Sequence, residues 1–215
     1  MARELGAHEV VSVAGATLPV AHGLSPRPPR PAPSLWGRRI VATGGQPAHR
    51  VTDLVDALAA QPTDVDLILL DDAGVRCHLR AAVERLKLGH RVHVLQRPTW
   101  EEVDAHLWHA DVVTTVAESG EDAVTLLRAM QLGRPVVAVG AGDRRQLIST
   151  RVDGLLVPAG DRWSLAGGLR RMLTDAAMAH ALGTAAARRV AARGWNDVGG
   201  EILLALEATR RGAHP

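Results

Sequence analysis

The chain has 215 residues, 47% of them hydrophobic and 22% charged, with a formal net charge of +2 and a sequence pI near 9.4. That length suits one good-sized domain with its own core, and so small a positive excess is no sign of a polyanion partner. Five Trp stand with no Phe and no Tyr, so the core must be built from Leu, Val, Ile and Ala, and a nucleic-acid binder that stacks bases on aromatic rings is disfavoured.

In chain order, the opening MARELGAHEV lacks the basic start and apolar centre of a signal peptide. Short apolar patches follow at Val10–Val13 and Ala16–Val20. The biased stretch Ser25–Ser34, SPRPPRPAPS, reads as an extended, solvated linker. Residues 1–34 are therefore set apart as an N-terminal segment.

From Arg39 onward strands and helices alternate. The expected strands are Arg39–Thr43, Val65–Leu70, Arg91–Leu95, Val112–Val116, Pro135–Val139 and Leu155–Val157. Between them helical spacing covers Val51–Ala60, Val75–Leu88, Glu101–Trp108, Asp122–Gln131 and a short Arg144–Ser149. The strands are continuous apolar runs rather than alternating ones, as expected when both faces of a sheet are covered. The fold class expected is therefore α/β, a single Rossmann-like, doubly wound parallel sheet over residues 35–175. Helices Arg162–Leu173, Ala176–Arg193 and Val198–Arg210 close the chain, residues 176–215 forming a C-terminal helical extension. Ligands of such sheets bind beyond the carboxyl ends of the strands.

Chemical motifs are few. Cys77 is the only cysteine, which excludes an internal disulfide, suits a reducing cytoplasm and leaves Cys77 as a packing residue. No run of about 18 apolar residues occurs, so no membrane span is expected, and the location expected is cytoplasmic. Asp71-Asp72 at a strand end resembles the acidic pocket of receiver domains, without the later Asp and Lys such domains carry. His106 and His109 share a helix face and read as a hydrated surface pair; His90 and His93 do not fall on one side of a strand. No metal site is expected.

The stretch Ala110–Asp161 carries a resemblance. Ala110-Asp111-Val112, Ala129-Met130, the Gly-Arg-Pro-Val-Val-Ala run from Gly133 to Ala138, and Gly-Leu-Leu-Val-Pro-Ala-Gly-Asp from Gly154 to Asp161 follow one another in order. Gly44-Gly45 with Arg50 precede them, and Gly194-Trp195-Asn196 follows. Over about residues 36 to 208 the chain resembles the donor-binding half of GT-B retaining glycosyltransferases of the family four, or group one, type. The resemblance implies binding of a nucleoside-diphosphate sugar, which is the donor substrate, with no separate cofactor. Ala123, Val124 and Thr125 would seat the diphosphate at a helix N-terminus, where amides lack intrahelical partners, and Gly120 and Glu121 before them would belong to the same nucleotide-sugar site. Gly44 and Gly45 would let backbone approach the ligand, Arg50 would stabilise the leaving phosphates, and Arg97 would line the nucleobase pocket.

The resemblance breaks at two places. Active members carry a glutamate just before Ala-Met and another eight residues earlier; here those positions hold Arg128 and Gly120. A carboxylate accepts from both ribose hydroxyls, whereas a guanidinium has no acceptor. Arg128 is thus expected either to reach a phosphate or to sit on a solvated helix face. The paired Arg-Lys of the phosphate site becomes Gly45 and Arg50, a further family acid becomes Gln146, and no catalytic residue is assigned. Second, such enzymes hold the acceptor on a separate N-terminal Rossmann domain, and only about 35 residues come before the donor-type domain here. An acceptor-binding partner chain is one expectation, with Val198, Ile202, Ala205 and Thr209 as a stripe that could meet it. The alternative is a truncated, inactive enzyme or a non-catalytic interaction module.

Overall fold

The computed structural model describes residues 37–43, 49–71, 76–117, 122–140 and 144–192. The helix expected at Val198–Arg210, the Pro-rich linker and the Gly194-Trp195-Asn196 motif lie outside them.

Six strands, β1 (Arg38–Ala42), β2 (Val65–Asp71), β3 (Val92–Gln96), β4 (Val112–Thr115), β5 (Val136–Val139) and β6 (Leu155–Val157), form one sheet. Every pairing is parallel and the order is β3-β2-β1-β4-β5-β6. The helices are α1 (Val51–Ala59), α2 (Arg76–Leu86), α3 (Trp100–Trp108), α4 (Ala123–Gln131), α5 (Arg144–Leu147), α6 (Arg162–Thr174) and α7 (Ala176–Ala192). The chain is the doubly wound Rossmann-like sheet that the alternation implied.

The two faces are sealed by different helices. Ile40, Ala42, Leu67, Leu69 and Val137 face Leu54 and Leu58 of α1, Leu79 of α2 and Leu165 and Leu169 of α6. Val41, Ile68, Val113 and Ala138 face Leu107 of α3 and Leu126 and Met130 of α4. Successive residues of one strand thus enter opposite cores, the physical reason these strands read as unbroken apolar runs. Burial of each such aliphatic side chain contributes about 2 kcal/mol before entropy is counted. α7 belongs to both layers: Leu182 joins the first core, and Ala186 and Val190 join the second.

One close approach fixes how α7 sits on α4. A Cβ on Gly183 would overlap the carbonyl oxygen of Gly133 and lie 2.9 Å from its carbon, and Gly133 itself holds φ +69°. Neither position admits a larger residue cheaply.

Candidate functional site

Strand order reverses between β1 and β4: the chain leaves β1 toward α1 on one face and leaves β4 toward α4 on the other. In open α/β sheets the crevice opens at this point, beyond the carboxyl ends of the strands. Its base is well ordered by backbone bonds. Thr43 N–H donates to the Thr114 carbonyl at 3.1 Å, so β1 and β4 stay joined to their ends. Beyond β4, the Ala117 N–H donates to Thr115 Oγ1 at 3.1 Å and turns the chain.

Across the crevice, Thr43 Oγ1 donates to Asp122 Oδ2 at 3.0 Å. Thr43 and Asp122 are both buried. Asp122 is the N-cap of α4, yet its side chain makes no capping bond; its carboxylate ties the end of β1 to the start of α4. Of the helix-start residues expected to seat a diphosphate, Ala123 is buried and Val124 and Thr125 are half-buried at the first turn. Gly44, Gly45, Gly120 and Glu121 lie outside the described residues.

Arg50 is the N-cap of α1. Its guanidinium lies 3.6 Å from Asp53 Oδ2 and packs on Gly160 of the β6–α6 turn, where a Cβ would come within 2.7 Å of Nη1. Gly160 holds φ +74°, so the turn and the arginine fix each other. Burial pushes the Asp53 carboxyl up, against the pull of Arg50.

Arg97 follows β3 and is exposed, with φ +45°, an uncommon conformation outside glycine. The following Thr99 starts α3 with a complete capping box: its N–H donates to Glu102 Oε2 at 2.8 Å and its Oγ1 accepts from Glu102 N–H at 3.3 Å. β3 is two strands from β1, which puts Arg97 roughly 10 Å along the rim from the crevice.

Arg128 has another occupation. Its Nε and Nη2 donate to the two oxygens of Asp104 on α3, both at 2.7 Å, and Nη1 donates to Gln131 Oε1 at 2.8 Å. Its side chain is 13% exposed, which corrects the expectation of a solvated helix face. The hydrogen bonds of Asp104 raise the Arg128 pKa above its ordinary value. This bidentate pair clamps α3 to α4 on the flank of the domain.

The histidine expectation is corrected as well. His106 is buried, because it shares the inward face of α3 with Val103 and Leu107; it is not a hydrated surface residue. Among the described residues no group of three or more His, Cys, Asp or Glu is placed to hold a metal. Nor is any helix among them long and apolar enough to cross a membrane.

Sequence reasoning missed Thr43 and Asp122 as a pair, Asp104 as the partner of Arg128, and Gly160 as the seat of Arg50. Thr43 ended an expected strand and Asp122 began an expected helix on the neighbouring strand's connection, which was the only available signal for that pair.

Residues 45–189 match the family described as glycosyl transferases, group 1. The chain belongs to that family. Among solved structures it is similar to sucrose-phosphate synthase from Thermosynechococcus elongatus, with a TM-score of 0.69 at 23% identity, covering 83% of this chain and 47% of that one. It is also similar to HepE from Anabaena, solved in complex with UDP and glucose, with a TM-score of 0.69 at 24% identity over 82% of this chain and 49% of that one. A third, the C-terminal domain of a group 1 family protein, LpcC, from Francisella tularensis, gives a TM-score of 0.67 at 16% identity over 77% of this chain and 94% of that one. No curated protein sequence matches the chain. The chain thus spans about half the length of the first two proteins and nearly the whole of the isolated C-terminal domain. At these identities the likeness is one of fold.

Proposed function

We propose that this group 1 domain binds a nucleoside-diphosphate sugar in the crevice between β1 and β4 and presents it for glycosyl transfer to an acceptor held by a partner chain. The carrying observation is the family's fold with its strand-order reversal intact and the first turn of α4 at the mouth of the crevice. In this reading Gly120, Glu121 and the amides of Ala123, Val124 and Thr125 seat the diphosphate. Gly44 and Gly45 admit its close approach, Arg50 neutralises its charge, and Arg97 borders the base. The donor is a substrate and no separate cofactor is invoked. Arg128 acts as a strut, since three of its donors are given to Asp104 and Gln131.

A second reading, a fold that keeps no donor chemistry, is favoured by one observation: the position where the resemblance implies a ribose-binding glutamate is an arginine locked to Asp104. Calorimetric titration with UDP, GDP and ADP, each with and without an attached sugar, decides between the two. UDP is the first nucleotide to try, because HepE is solved with it. The donor reading expects saturable binding by one nucleotide, weakened about tenfold or more in Arg50→Ala through loss of a charge-assisted contact. Unchanged affinity in that variant removes Arg50 from the site. No binding of any nucleotide by folded protein sinks the donor reading and leaves the second.

A further inference from the structure

α1 and α6 pack side by side on one face of the sheet. A cleft of about 170 Å³ there is lined by Asp56, Ala60, Arg162, Trp163 and Ala166. Trp163 is 74% exposed, the most exposed large apolar side chain among the described residues. Its exposed indole presents a large apolar ring with an N–H at one edge.

The platform is held rigid. Asp161 caps α6 by accepting from the Trp163 and Ser164 amides at 3.1 and 2.9 Å, which fixes the backbone beneath the ring. The Arg162 guanidinium stands 5.4 Å from the centre of the indole, and its Nη1 lies 3.5 Å from Asp56 Oδ2. Asp56 is in turn held by Arg85 of α2 at 3.0 Å. Ala60 and Ala166 have small side chains, and the cleft exists because nothing larger stands there.

We infer that this cleft binds a neutral pyranose, free or within an oligosaccharide. A pyranose has one apolar C–H face, which packs on an aromatic ring, and hydroxyls at its rim that both donate and accept. Asp56 offers acceptors beside the cleft and Arg162, standing over one part of the Trp163 ring, offers donors, the combination of apolar wall and few placed polar groups that fixes a small ligand. The volume admits a single sugar ring and not a folded segment. The surroundings are charged, with Arg85, Arg162 and Asp56 at the rim, unlike the contiguous apolar patch that marks a protein interface. The inference is independent of the crevice between β1 and β4, because none of its residues belongs there.

The test is a ¹⁵N–¹H spectrum of the full chain, in which five tryptophans give five indole N–H signals. The probes are methyl α-D-glucopyranoside, methyl β-D-galactopyranoside, maltohexaose and cellohexaose. A saturable shift of the Trp163 signal is expected with at least one of them. Equal affinity per ring for glycoside and hexaose indicates a site for free sugar; a shift with a hexaose alone indicates a site for a glycan chain. Trp163→Ala should abolish the response as read from the Ala60 and Ala166 amides, Trp163→Phe should retain part of it, and Asp56→Asn should weaken it about tenfold. Exposure of the ring means that Trp163→Ala keeps the fold, which an unchanged melting temperature verifies. No saturable shift with any probe overturns the inference, and so does a response of those amides that persists in Trp163→Ala. UDP titrated into the same sample reports on the crevice separately, so either reading can fail alone.

Discussion

The two edges of the sheet spend their arginines differently. At the amino edge they are structural. Arg38 grips Asp64 with two bonds, at 3.1 and 2.9 Å, and reaches the Leu173 carbonyl at 3.1 Å. Arg91 donates to the Val65 and Pro62 carbonyls at 2.8 and 2.6 Å, and Arg134 donates to the Ala110 carbonyl at 3.3 Å. At the carboxyl edge Arg50 and Arg97 stand at a helix N-cap and on an exposed turn. In a chain poor in aromatics, guanidinium groups serve as long, flat cross-links that satisfy carbonyls the aliphatic core cannot. A basic pI therefore says little about anion binding until each arginine's partner is known.

The sharpest way to break the amino edge is at the α4–α7 contact. Gly183→Ala drives a methyl into the Gly133 backbone, which cannot retreat as a flexible side chain would. A loss of about 3 kcal/mol or more is expected, read as a fall in the denaturant midpoint. Next in size is the α3–α4 clamp. Arg128→Ala leaves the Asp104 carboxylate, 22% exposed, without its bidentate partner, at a cost of about 2 kcal/mol. A double-mutant cycle with Asp104→Ala should recover a coupling of about 1.5 kcal/mol or more; additive losses would show that the pair is ornamental.

All six strands and seven helices of the described residues were legible to within two residues at each end. The reason is the two-sided burial of the sheet: runs such as Val136–Val139, with Gly133 and Pro135 before them, leave little else to be. The contacts around the candidate site were less legible. Arg50 was singled out by resemblance to the family's loop after the first strand, and the start of α4 by its helical spacing. The Arg128–Asp104 pair links residues 24 apart on neighbouring helices, and Thr43–Asp122 links residues 79 apart; no local spacing encodes either. His106 is different, because its spacing from Val103 and its adjacency to Leu107 already placed it on the inward stripe. Pairing it with His109 by spacing alone hid that.

At the carboxyl edge the test is Thr43→Val, which keeps the shape and removes the donor to buried Asp122. A loss of about 1–2 kcal/mol is expected in chemical denaturation, with recovery in Thr43→Ser. No loss would mean that the crevice is closed at its base by backbone alone.

The smallest effect expected returns to the amino edge and depends on pH. His106 lies on the inward face of α3, with Nδ1 lacking a hydrogen-bond partner among the described groups. Burial pushes its pKa below the ordinary 6.5, and Arg39 on β1, His109 and His93 of β3 push the same way, while Glu102 pulls back. The unfolded chain therefore binds this proton more readily than the folded one. The contribution of a neutral His106 is fully present above about pH 6.5 and is lost as pH falls from there through the folded value. Denaturant midpoints measured from pH 7 down to 5 should fall more steeply in the wild type than in His106→Leu, in which the carboxylates and other histidines are unchanged. Parallel curves would mean that His106 takes up its proton without cost, and that the Arg39 side of the sheet is better solvated than its burial implies.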